Sequence, residues 1–299
     1  MAYSLNGILF SVYGLVPSQA PSSNIALAGC FDMPIRRGDL FYEWGDENGV
    51  EPYVDTADLM FNGRDITCHC VILGTRAEIQ MKLKTLYSAI KLFTTTVELV
   101  TDYGTFDVYV QSVRPTITNG GANVEITFRE PIVDLTGTLP DVGSSNTNID
   151  GIPLSSFGLY FSSVLGQRDL QEMKEQYFTS YETEGFQITK RKANTLTING
   201  FVLGSSLEDF KSKVSSLYAL YSSANVKNIT LSSLEYRGCF AVNGFSITDI
   251  IVHSAGVIGR FSTEWIISGA YTEYVLITED GLIVTTEDGL KKIILRIYG

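Results

Sequence analysis

The chain carries the same pattern twice, and that repetition constrains its fold more than any motif does. Asn6-Gly7-Ile8 matches Asp150-Gly151-Ile152, and Tyr13-Gly14-Leu15 matches Phe157-Gly158-Leu159, both at a separation of 144 residues. Ile66, Cys68, Leu73 and Gly74 match Leu196, Ile198, Leu203 and Gly204 at 130. Thr75, Glu78, Ile79, Leu83, Leu86 and Tyr87 match Ser206, Asp209, Phe210, Val214, Leu217 and Tyr218 at 131, and Asp102-Tyr103 matches Glu235-Tyr236 at 133. The separation drifts where turns belong, as insertions in loops produce. A period this long is a whole domain rather than a solenoid unit. Two similar domains in tandem point to a quasi-symmetric building block more than to an enzyme with one active site.

With 299 residues, 44% of them hydrophobic, the chain has material for two cores of ordinary domain size. Residues 136–148, rich in Gly, Ser, Thr and Asn, read as a linker. The first domain is therefore expected over 1–135, the second over 149–270, and a separate extension over 271–299. Each copy repeats one order of elements. A short strand (5–13 or 152–161) leads through a variable connection to an alternating strand (65–73 or 195–203) closed by Gly74 or Gly204. One amphipathic helix follows, with apolar positions Ile79, Leu83, Leu86, Tyr87 and Ile90, or Phe210, Val214, Leu217, Tyr218 and Tyr221. Thr75 with Glu78, and Ser206 with Asp209, place a hydroxyl cap and an acid at the positive end of each helix. A hairpin turning near 102–104 or 234–238 comes next. The last strand carries Val124, Ile126 and Phe128, or Phe261, Thr263, Trp265 and Ile267. The predicted fold is mainly β with α+β character: two tandem β-sandwich or barrel domains, each flanked by one amphipathic helix, and a C-terminal β-hairpin meander.

The copies differ most between Gly14 and Ile66, where the first is longer by 14 residues. This long loop, 15–63, holds Phe31-Asp32-Met33-Pro34, Arg36-Arg37-Gly38 and a turn-rich stretch over 44–52, and is expected to project. In the second copy 168–176 reads as a short helix. In the tail, Thr278-Glu279-Asp280-Gly281 and Thr286-Glu287-Asp288-Gly289 repeat between apolar runs, the signature of a three-stranded meander. The Asp-x-Asp-x-Asp-Gly ligand order of a calcium loop is missing there.

Net charge is −11, which argues against a groove that grips phosphates through Lys and Arg. No segment has the roughly 20 apolar residues of a membrane span, and the start Met1-Ala2-Tyr3-Ser4 lacks the basic and apolar regions of a secretory signal. A soluble protein made in the cytoplasm is expected. Four cysteines and two histidines are too few for a disulfide scaffold or a rich metal site. Cys68-His69-Cys70 cannot converge on one ion from a strand, because alternate side chains face opposite ways; core packing is the better account. His69 in a strand and His253 in a loop have no nucleophile-elbow context, and phosphate-loop, dinucleotide and zinc-protease motifs are absent. No catalytic, cofactor-binding or metal residue is assigned, and no enzyme activity is expected. Trp265 alternates with core residues; Trp44 is the surface candidate.

A Leu5-Asn6-Gly7-Ile8 strand, a long loop, an Arg64-x-Ile66 strand ending in Gly74, one capped helix, a hairpin bearing Tyr103 and a closing strand resemble a known domain. This order is similar to the N-terminal domain of distal tail (Dit-like) proteins of long-tailed bacteriophages, and more loosely to the tail-tube fold shared with contractile injection systems. The resemblance covers both copies, most of residues 1 to 270, and rests on element order and scattered residues rather than a diagnostic motif. It implies a structural role: a ring in the virion tail, around the DNA channel between tail tube and tail tip, assembled in the bacterial host cytoplasm. Implied partners are other copies of the chain, other tail proteins, and DNA that passes through the lumen without specific binding; no membrane is implied. Such proteins usually carry one ring domain per chain and form hexamers. This chain departs by carrying two, with a short hairpin tail in place of a large second domain. Three chains would supply six ring positions, a trimer of pseudo-sixfold symmetry; a ring of six whole chains stays open. The long loop is expected to clamp a neighbouring subunit, and the hairpins near Gly281 and Gly289 to dock on the next ring. The rival reading is a cell-surface glycan-binding β-sandwich with Trp44 and nearby tyrosines as its stacking face. A third is a hydrolase using carboxylates such as Glu43 with Asp46, or Glu182 with Glu184.

Overall fold

The computed structural model describes residues 3–45, 47–118, 120–166, 169–180, 183–232, 234–269, 271–275 and 294–298. The protein is mainly β with two helices, and its strands form antiparallel sheets. In the first half the strands lie in the order Ile8–Leu9, Ser4–Leu5, Val97–Thr101, Gly104–Thr118, Gly121–Glu130, Arg64–Leu73 and Val16–Pro17, and Leu27–Ala28 also pairs with Arg64–Leu73. In the second half the order is Ile152–Pro153, Thr147–Ile149, Lys227–Leu231, Leu234–His253, Gly256–Ile267, Asn194–Gly204 and Leu159–Leu165. Position for position, the two sheets carry the same connectivity.

Period-two patterning explains the long strands. Along Arg64–Leu73 the side chains of Ile66, Cys68, Cys70 and Ile72 are buried in alternation, as are Leu196, Ile198 and Val202 along Asn194–Gly204. The opening segments are not single strands. Asn6-Gly7 and Asp150-Gly151 fold them into tight hairpins, with Asn6 and Asp150 at positive φ. A 3-10 turn follows each hairpin, Phe10–Tyr13 or Leu154–Phe157, with two apolar residues facing inward.

Helix α1 (Arg76–Ile90) and helix α2 (Leu207–Ser222) follow the matching strands. Thr75 caps α1 in a full capping box with Glu78. In α2 the Ser206 hydroxyl accepts from the Asp209 amide, while the Asp209 carboxylate takes the amide of Ser205 rather than that of Ser206. Each helix is also tied back to its strand by a lysine: Lys82 Nζ donates to the Leu73 carbonyl and Lys213 Nζ to the Leu203 carbonyl, at 2.9 and 3.0 Å.

Several features differ from the sequence expectations. The two halves do not keep separate cores: Leu99 and Ile126 belong to the same continuous buried cluster as Val214 and Phe261. The 15–63 loop does not project, because long stretches of it lie against the second half. Of the segment 168–176 expected as a short helix, 169–172 is irregular and 173–176 belongs to the strand Met173–Ser180, paired with Thr183–Arg191. An isolated turn of helix is marginal, and a β-prone partner a few residues away wins. The second hairpin turns at Ser232 rather than over 234–238, and His253 ends a strand instead of lying in a loop. The linker is strapped across α2, where Ser215 Oγ and Ser216 Oγ donate to the carbonyls of Thr136 and Thr138, each at 2.8 Å. In the tail, Tyr271–Val275 pairs antiparallel with Ile294–Tyr298. The middle run of the expected meander and the acidic turns, within 276–293, lie outside the described residues.

Candidate functional site: the seam between the two halves

The last strand-to-strand hairpin of each half creates an exposed edge. Gly104–Thr118 pairs with Val97–Thr101 only through residue 108, then continues against Gly121–Glu130 alone. Leu234–His253 likewise leaves Lys227–Leu231 by residue 239 and continues against Gly256–Ile267. Beyond those points the outer backbone edge of each long strand has no partner in its own sheet, a condition that proteins normally correct.

In the second half the long loop of the first half covers that edge. Leu27–Ala28 pairs with Arg64–Leu73 and then turns at Gly29, where a Cβ would stand 2.4 Å from the Asp65 carbonyl oxygen. The turn sends Phe31 edge-on to Phe210 of α2, with centroids 5.3 Å apart. The Asp32 carboxylate accepts from the Ile247 amide at 2.6 Å, and the Met33 amide donates to the Phe245 carbonyl at 2.9 Å. Asn24 and Ser23 bond to the same edge: the Asn24 amide donates to Ile250 O, its side chain donates to Val252 O and accepts from Val252 N, and the Ser23 hydroxyl accepts from Ile250 N.

Behind this loop sits a buried charge. Arg64 Nε donates to Glu130 Oε2 at 2.6 Å, both side chains 9% exposed. Its other arm donates to the Tyr218 hydroxyl at 2.5 Å and to the Asp32 carbonyl at 3.1 Å. The guanidinium also lies 5.7 Å from the ring centres of Phe106 and Tyr218, so both halves hold it. Burial raises the Glu130 carboxyl above the usual carboxylate range while Arg64 pulls it down; Asp32 is raised by burial, with the Ile247 amide opposing. For Arg64, burial works against the charge, yet Tyr218 and Glu130 outweigh it and the net shift is upward. The charged pair is the neutral-pH state, because a guanidinium that stays protonated needs its counter-charge.

A second contact lies further along the loop. Val50 packs with Phe240 and Ile266 of the second half in a smaller apolar cluster, joined by Phe41, Val54 and Val242. Lys174, 5% exposed, donates to the carbonyls of Trp44 and Gly49 at 2.7 and 2.6 Å and lies 3.5 Å from Glu43. Outside this clamp, Tyr42 and Trp44 form an exposed edge-to-face pair 4.6 Å apart, and Trp44 Nε1 donates to Glu51.

The structure scatters the residues singled out from sequence. Cys68 and Cys70 face the core with sulfurs 3.6 Å apart, His69 faces the other way, and all four cysteines are buried and free. The Cys68 thiol is raised by its hydrogen bond to Cys70 and by burial, which keeps it protonated and inert. Trp265 is in the core and Trp44 on the surface, as expected. Glu43 serves Lys174; Asp46 and Glu182 lie outside the described residues, as does the side chain of Glu184. No group of three metal-ligating side chains occurs among the described residues. The seam residues Asp32, Arg64 and Tyr218 were not legible as a set. One signal was available: Arg64 opposite Glu130 stands where the second half has Asn194 opposite Ile267.

The fold and this seam define a protein of antiparallel β-sheets whose polar chemistry is spent on joining two like halves. No protein-family model matches the chain, and no curated protein does. Among solved structures it is similar to the Dit protein of phage SPP1, described as a paradigm of the hub adsorption apparatus in phages that infect Gram-positive bacteria. Identity is 10%, over 89% of this chain and 97% of that one, with a TM-score of 0.35. A likeness at that level carries no argument about function. No helix among the described residues is long and apolar enough to cross a membrane.

Proposed function

We propose that this protein is a structural component of a phage tail, a distal-tail or tail-hub adaptor that forms a ring around the DNA channel between tail tube and tail tip. The observation that carries this reading is the shared strand order of the two sheets, each with a capped helix at the same place. On this reading residues 1–135 and 149–270 are duplicated ring domains, 136–148 joins them and 271–299 is an extension. Two like domains held at a fixed offset by a buried seam form a segment of a ring, and a closed ring of six positions can be tiled by three such chains. The acidic balance, net −11, suits a lumen past which DNA slides. No catalytic role is proposed. Light scattering on the full chain across a concentration series tests the reading: a trimer, or a hexamer, supports it and decides how the repeat is used, and a strict monomer counts against it.

The exposed Tyr42–Trp44 pair favours one second reading, a glycan-binding face. Polysaccharide binding by a monomer, lost in Trp44→Ala, would support that alternative.

A further inference from the structure

We propose that Asp169 and Leu170 of one chain dock on the bare strand edge over 113–118 of a second copy, repeating between chains the contact that Asp32 and Met33 make within one. This inference rests on the self-assembly reading and names the surfaces that carry it.

The register of the sheets sets the equivalence. Cys68 faces Ile126, which faces Val113; Ile198 faces Thr263, which faces Phe245. Two residues on, Cys70, Val124 and Pro115 correspond to Gly200, Phe261 and Ile247. Val113 and Pro115 thus occupy the places of Phe245 and Ile247, the residues that receive Met33 and Asp32. In the second half Phe245, Ile247 and Ile250 are buried. In the first half residues 114–118 are all exposed, Ile117 at 42%.

The docking segment also has a counterpart. Leu27 pairs with Cys68, and Val164 pairs with Ile198, its equivalent. Gly29 and Gly166 follow in the same left-handed turn, each so close to a carbonyl, of Asp65 or of Thr195, that a Cβ would clash. Three and four residues beyond stand Asp32 and Met33 in one half, Asp169 and Leu170 in the other. Met33 is 4% exposed and Leu170 is 77% exposed. Among the described residues the chain therefore satisfies one such contact internally and leaves both faces of a second unmatched. The molecule that presents the matching face is another copy, joined head to tail. Helix α1 agrees: a groove of about 360 Å³ along Leu83, Lys84 and Tyr87 is open where the linker covers α2.

One difference bears on specificity. Pro115 has no amide to match the one Ile247 gives Asp32, and a proline beside an exposed arginine blocks indiscriminate strand addition. The Leu170 amide retains Val113 O as acceptor, and the Asp169 carboxylate meets the Arg114 guanidinium in place of the missing donor.

Leu170→Asp in the full chain is the first test, read by light scattering across a concentration series with a thermal melt alongside. Expected is an oligomeric wild type and a variant whose association is weakened about a hundredfold at an unchanged melting temperature. An oligomer indifferent to the substitution overturns this contact and leaves the ring reading standing. A wild type that is monomeric throughout overturns both. The double variant Leu170→Cys with Ser112→Cys checks the register, since Met33 packs over Gly244, the counterpart of Ser112, and the native cysteines are buried. Disulfide-linked multimers on a non-reducing gel support it, and their absence from a chain that still oligomerises overturns it.

Discussion

The two halves share a fold and differ in what covers them. In the second half the long strand's outer edge is sealed by Ser23, Asn24, Asp32 and Met33, and the linker lies over α2. In the first half nothing among the described residues covers the same edge or the same helix face, and α1 buries only Ile79, Leu83 and Leu86 where α2 buries six residues. One fold thus exists in a closed and an open version within one chain. The comparison teaches that the longer loop of the first half is an internal strap rather than a free clamp for a neighbour.

Deleting 36–50 should break that comparison most. If the loop only clamped a neighbouring subunit, such a deletion would weaken assembly and leave both domains folded. The structure makes it an unfolding change, because removing Val50 and its hairpin uncovers Phe240 and Ile266 and leaves Lys174 without its carbonyl partners. A loss on the order of 5 kcal/mol is expected, from two large side chains exposed and one ammonium stranded. Urea unfolding of the deletion variant checks it; an unchanged midpoint would return the loop to the role of a projecting arm.

Arg64 asks whether the closed half needs its charge. Arg64→Asn leaves Glu130 buried without a counter-ion and should cost about 3–5 kcal/mol. Adding Glu130→Ile installs the pair that the second half already uses, Asn194 opposite Ile267. The double variant should recover most of the loss in chemical denaturation. Failure to recover would mean that the bonds from Arg64 to Tyr218 and Asp32, rather than relief of a buried acid, carry the seam.

Met33 and Leu170 test the same position in its covered and open states. Met33→Ala should destabilise the fold by about 2–3 kcal/mol, whereas Leu170→Ala should stay within about 0.5 kcal/mol in thermal melts of dilute protein. Equal losses would show that Leu170 is already packed within its own chain.

How much of this was legible follows from range. The helices, their caps and the inward faces of the strands were readable, because each depends on spacings of two to four residues. The seam was not, because Asp32 meets the amide of a residue 215 positions away, and a backbone donor leaves no mark in the sequence. The repeat came close to revealing it. Aligning Gly29 with Gly166 places Asp32 on Asp169, but only the strand pairings justify splitting the 14-residue excess on either side of that turn. The segment around Met173 differs for another reason: its own composition reads as helix, and the hairpin partner just beyond it, Thr183–Arg191, makes it a strand.

The smallest expected effect separates the two helix caps. Thr75→Ala and Ser206→Ala should each cost about 1 kcal/mol, but the acids behind them are held differently. Glu78 closes a box on the Thr75 backbone, whereas Asp209 binds Lys213 and reaches back one residue further to Ser205. The Lys213 ammonium first, then the Ser205 amide, bring the Asp209 carboxyl down to about 2. A carboxyl depressed in the folded state stabilises fully above its unfolded value, and that contribution is lost as pH falls through the folded one. The stabilisation that this acid gives α2 should therefore be complete well above about pH 4, decline as pH falls below that, and be gone near about 2. An NMR titration of the Asp209 carboxyl in the wild type and in Lys213→Met measures this. An upward move of its midpoint in the variant confirms the lysine as the main cause; an unmoved midpoint assigns the depression to the backbone cap, and the two helices would then be held alike.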